Sequence, residues 1–117
     1  MSLNLYFKSD EFETNKGLAD YLYEELKKSG VSVSSPEIDE YMCIIESSIN
    51  GEVVHIYMGK NEEESSPVLW QVWPEQVVPI MKRLFGKTDR APEEKAKQLL
   101  ENVVNHIPGV SSVEWGI

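Results

Sequence analysis

Glu46 and His55 have the residue types that general acid–base chemistry uses, and the sequence between them supplies a way to bring them together. A carboxylate beside an imidazole orients the ring and favours its protonated form, the smallest equipment for moving a proton near neutral pH. Asn50-Gly51 lies between the two, flanked by Tyr41–Ile49 and Glu52–Gly59, each of which reads as a strand. Both residues of the dipeptide accept positive φ, as a two-residue type I′ turn requires, so the segment predicts a β-hairpin. The turn also sets the register: Ile49 faces Glu52, Glu46 faces His55, Ile45 faces Ile56 and Ile44 faces Tyr57. The competing reading of Glu46 and His55 is a cross-strand charge pair that keeps a sheet surface wet. No nucleophile motif, metal-ligand spacing or Gly-rich phosphate loop accompanies them. They are therefore the only catalytic candidates, and the sequence leans away from an enzyme.

The other chemistry-bearing residues point to structure. His106 falls at the end of a long helical pattern, where a cationic ring meets the negative end of the dipole. With two His and one Cys, a zinc site would need carboxylates for most of its ligands, so no metal and no cofactor is expected. Cys43 falls on the apolar side of the hairpin, where a thiol behaves as a small hydrophobe. The run Asn61-Glu-Glu-Glu-Ser-Ser lacks the alternation and the Gly of a calcium loop and reads as a solvated connection. The segment Lys82–Lys97 holds six of the eleven basic residues against three acidic ones. It reads as a helix connection with Lys and Arg in water rather than as a phosphate site.

A different kind of site emerges from the alternation of the strands. Cys43, Ile45, Val54, Ile56 and Met58 share one side of the hairpin with Ser47, while Ile44, Glu46, Val53, His55 and Tyr57 share the other with Ser48. The first set is the more uniformly apolar and is expected under helices. Val68–Trp73 reads as a further strand, stopped by Pro74, with Leu69, Gln71 and Trp73 joining the open side. That side then gathers Ile44, Tyr57, Leu69, Gln71 and Trp73 around Glu46 and His55. Aromatic and aliphatic groups about a polar centre fit a contact surface better than a solvated sheet. A short helix folded across them would make the same residues core.

The elements that must position these residues read as follows. Leu3, Leu5 and Phe7 alternate with polar neighbours as a first strand. Leu18, Leu22 and Leu26 repeat every four residues over a helix from Asn15 to Ser29, with Glu24 and Lys28 ordered for an i,i+4 pair and Gly30 past the end. Val31 and Val33 begin an extended segment. Val77, Val78, Ile80, Met81, Leu84 and Phe85 suggest a short helix between Glu75 and Gly86 that Pro79 begins or kinks. The clearest helix runs from Pro92 to His106, with Glu93 and Glu94 in its first turn and Pro108-Gly109 ending it. Val113, Trp115 and Ile117 alternate in a last strand.

No fixed-period repeat and no linker divides the chain, so residues 1–117 are read as a single α+β domain. The element order predicts a two-layer sandwich, a largely antiparallel sheet with helices on one face, in a ferredoxin-like variant with an extra strand. The ending Ile107-Pro-Gly-Val-Ser-Ser-Val-Glu resembles the helix-to-strand junction of small ferredoxin-like metal-carrier domains. The resemblance implies that fold; the Cys-x-x-Cys loop that carries the metal in that family is absent.

Composition narrows the partners. A net charge of −9 disfavours nucleic acid and anionic membrane surfaces. No run approaches the ~18 apolar residues of a membrane span, and no leader pattern opens the sequence, so a cytoplasmic protein without a membrane partner is expected. The leading reading is a small acidic, non-catalytic interaction module that binds a protein partner or itself, as a homodimer, through the open sheet face. One alternative is a small enzyme or small-molecule binder using Glu46 and His55 beside Tyr57. The other is an acidic inhibitor or immunity-type protein for a basic enzyme.

Overall fold

The computed structural model describes residues 3–39, 41–79, 81, 84, 86 and 89–117. Along them run β1 (Asn4–Lys8), α1 (Asn15–Lys28), β2 (Ser32–Val33), β3 (Cys43–Ile49), β4 (Glu52–Lys60), β5 (Leu69–Gln76), α2 (Ala91–Asn105) and β6 (Ser111–Gly116). The six strands form one sheet in the order β2-β3-β4-β5-β1-β6, with every neighbouring pair antiparallel. Both helices pack on the same side of it, giving the two-layer α+β sandwich the element order predicts. No helix among the described residues is long and apolar enough to cross a membrane.

The hairpin forms as its turn chemistry dictates. Asn50 and Gly51 sit at φ 53° and 79°, and the ladder pairs Ile49 with Glu52, Glu46 with His55, Ile45 with Ile56 and Ile44 with Tyr57. This register sends Cys43, Ile45, Val54, Ile56 and Met58 into the core, each at most 1 % exposed. Ser47 goes with them, and its hydroxyl donates to the Val54 carbonyl at 2.7 Å, so the buried oxygen is satisfied.

Local signals also set the helices. Thr14 caps α1 by accepting the Gly17 N–H at 3.1 Å, and Gly30 leaves the helix at φ 86°. Leu18, Ala19, Leu22 and Leu26 are buried on its sheet side, where each leucine contributes about 2 kcal/mol by leaving water. The α2 stripe buries Ala96, Leu100, Val103 and Val104 into the same layer. His106 closes α2 and donates through Nδ1 to the Asn102 carbonyl at 2.7 Å, as its helix-end position predicts.

Three expectations change. Lys28 pairs with Glu25 at 3.6 Å rather than with Glu24, since the i,i+3 position is as much a neighbour on the helix surface as i,i+4. Pro74 does not stop β5, which continues to Gln76 with Pro74 opposite Ile56. The β1 ladder ends at Val72, so beyond it β5 is an edge on that side, where proline is tolerated. The short helix expected between Glu75 and Gly86, starting or kinked at Pro79, loses Glu75 and Gln76 to β5 and leaves Val77, Val78 and Pro79 irregular, while Met81 and Leu84 are helical as expected. The rest of that expectation falls largely outside the described residues; Met81 and Leu84 are 63 % and 73 % exposed.

Candidate functional site on the open sheet face

The two long helices pack on one face of the sheet, no helix among the described residues packs on the other, and the five expected binding residues all lie on that other face. Ile44, Tyr57 and Trp73 occupy a single row across β3, β4 and β5. Tyr57 and Trp73 stack with ring centroids 5.2 Å apart and planes 14° from parallel. Leu69 and Gln71 follow on β5 with the same orientation, Gln71 lying between Gly59 on β4 and Tyr6 on β1. All five are half-buried.

The catalytic candidates meet in the next row. His55 Nε2 stands 3.3 Å from Glu46 Oε1, and Glu75 lies opposite His55 on β5. The imidazole therefore sits between two carboxylates and edge-on to Tyr57, at 6.2 Å and 77°. Partial burial and the Glu75 carboxylate hold the Tyr57 phenol above its ordinary pKa. Glu46 is 58 % exposed at its side chain, so its contact with His55 is a weak surface pair. The geometry lets Glu46 orient His55, and neither residue lines the groove between the start of α1, the 41–42 segment and the β4–β5 connection. Among the described residues no group of three or more His, Cys, Asp or Glu is placed to hold a metal ion. Cys43 is wholly buried on the other face.

Sequence reasoning missed Met42, Gly59 and Tyr6. Continuing the hairpin register beyond Ile44–Tyr57 and Cys43–Met58 would have placed Met42 against Gly59 on the open face. A side chain at Gly59 would meet the Tyr41 carbonyl at 2.9 Å and Met42 Sδ at 3.1 Å, so the 41–42 segment rests directly on this glycine. Tyr6 carried no comparable signal, because its place beside Gln71 depends on β1 joining the sheet next to β5.

The 61–66 run, expected to be a solvated loop, borders the open face. The Asn61 side-chain amide donates to Gln71 Oε1 at 2.8 Å, and its carbonyl accepts the Glu63 N–H at 2.8 Å. The loop is thereby fixed to the polar member of the aromatic surface. No protein-family model matches the chain, and no curated protein or solved structure matches it. The functional reading rests on this geometry.

Proposed function

We propose that the protein is a non-catalytic interaction module whose open sheet face binds a protein partner or a second copy. The observation that carries this reading is the Tyr57–Trp73 stack, set in a row with Ile44 on the face opposite the two long helices. Aromatic side chains ordered by their neighbours lose little further entropy on docking, and they are the residues that anchor protein contacts. The same reading takes the sheet as a ferredoxin-like variant, with β6-β1-β5-β4 as its basic unit and β3 and β2 as additions that widen the face.

Solution mass measured by size exclusion with light scattering, over a range of concentrations, tests self-association. Capture by immobilised wild type and Trp73→Ser proteins tests binding of another protein. Loss of association or of a specific captured partner in a folded Trp73→Ser variant is the expected result. A monomeric wild type whose capture profile is unchanged in the variant would overturn the reading.

The Glu46–His55 contact supports a second reading, a small enzyme or small-molecule binder acting beside Tyr57. Chemical-shift titration of His55 in the presence of a metabolite panel separates it from the first. A titration that no metabolite moves removes it. A narrower version of the first reading, an acidic inhibitor or immunity-type protein for a basic enzyme, draws on the net charge of −9.

A further inference from the structure

The open face runs into a groove. About 1330 Å³ of concave space lies between the start of α1, the 41–42 segment and the β4–β5 connection, and Leu69 and Gln71 belong both to its wall and to the open face. Its charge is one-sided: Glu13, Glu62, Glu63 and Glu64 line it, against Lys60. Elsewhere on the surface Asp20, Glu25 and Glu94 are each met by a lysine of their own helix. The four groove glutamates make no ion pair among the described residues.

The groove also has an apolar wall. Tyr41, 74 % exposed, and Met42 stand on one side and Leu69 on the other. The backbone that presents the carboxylates is tied down at several points. Asn61 N–H donates to the Leu69 carbonyl at 2.9 Å, its side chain holds Gln71 and Glu63, and Lys60 N–H donates to Asn15 Oδ1 at 2.9 Å. A charged surface on fixed backbone pays less ordering entropy when it binds.

Building on the proposed open-face contact, we infer that this groove docks an extended, arginine-bearing segment of a partner protein. Its cations lie against Glu13 and Glu62–Glu64, and its apolar side chains run over Leu69 toward the Tyr57–Trp73 stack. Arginine suits both halves of the surface, because its planar guanidinium bonds carboxylates in pairs and also stacks on aromatic rings. A second copy is the poorer occupant, since two chains of net charge −9 repel at a distance.

The test uses the full chain and a fluorescein-labelled octa-arginine peptide, with binding read by fluorescence anisotropy at low and physiological salt. A triple variant, Glu62→Gln with Glu63→Gln and Glu64→Gln, is compared with Glu24→Gln, Glu94→Gln and Glu101→Gln, which change the charge equally on exposed helix positions outside the groove lining. The groove variant is expected to weaken binding at least about tenfold and the control less than about threefold, with wild-type amide signals of Gly59, Asn61, Leu69 and Gln71 shifting on titration. Equal losses in the two variants, or shifts spread away from those amides, would overturn the groove site and leave diffuse attraction only. Salt-sensitive self-association of the wild type, lost in the groove variant, would overturn it in favour of a second copy. A Trp73→Ser variant that binds the peptide like wild type fails the open-face reading instead, so the two failures are distinguishable.

Discussion

Trp70 and Trp73 stand on the same strand and point to opposite sides of the sheet, and their surroundings differ completely. Trp70 is 1 % exposed, its indole N–H donates to the Ser9 carbonyl at 2.9 Å, and Phe12 meets its ring edge-on at 6.1 Å. Trp73 is half-buried on the face opposite the two long helices and has Tyr57 stacked on it. One tryptophan is therefore enclosed and hydrogen-bonded as core residues are. The other is held by its neighbours while one surface stays available. Equal hydrophobicity thus has two consequences, and strand parity alone decides which residue receives which.

The contrast can be broken most directly by removing each ring in turn. Trp70→Ala is expected to cost about 3–5 kcal/mol of folding stability, since it leaves a large cavity and strands the Ser9 carbonyl. Trp73→Ser is expected to change stability by no more than about 1 kcal/mol while lowering association. Urea unfolding of both variants checks this. Comparable costs would mean that the open face is a second core.

A smaller effect tests how tightly the open face is built at its groove end. Gly59→Val would push a Cβ against the Tyr41 carbonyl, and since that contact is backbone it cannot be relieved by a rotamer change. A loss of about 1–3 kcal/mol is expected, together with amide shifts at Tyr41 and Met42. A neutral outcome would show that the 41–42 segment is not seated on β4.

The smallest effect concerns the electrostatics of the aromatic row. Tyr57 is expected to ionise above the ordinary phenol pKa, mainly through partial burial and secondarily through Glu75. Glu75→Gln should lower that midpoint without abolishing the shift, as followed by ultraviolet absorbance of the phenolate. The linked stability has a definite sign. The raised pKa favours the neutral phenol in the folded state, so its contribution is complete below the unfolded pKa and is lost as pH rises through the folded value. A Tyr57→Phe variant should lose this part of the alkaline destabilisation.

Much of this architecture was legible because its causes are local. The Asn50-Gly51 turn and the period-two alternation fixed the pairing of Glu46 with His55 and of Ile44 with Tyr57, and they assigned both faces of the hairpin. The same alternation placed Leu69, Gln71 and Trp73 on the open side even though the end of β5 was misread. Pro74 misled because a proline breaks a strand only where its missing N–H has a ladder partner to lose. Buried polar residues were illegible for a related reason. Ser9 is wholly buried with its hydroxyl donating to the Pro108 carbonyl, and Gln76 is buried while donating to the Asp89 carbonyl and exchanging bonds with Glu93. Each partner is distant in sequence, and no local pattern announces it.

The sequence by itself therefore determined the hairpin, its register, the core face of each helix and the membership of the open face, since turn geometry and periodicity act over a few residues. Tertiary structure alone decided that β1 lies between β5 and β6, and that the 61–66 loop folds back on Gln71 beside the start of α1. It thereby created the acidic groove next to the aromatic row. Those arrangements come from closing the chain over long separations, where many pairings satisfy the local pattern and only simultaneous packing of both helices on one face selects among them.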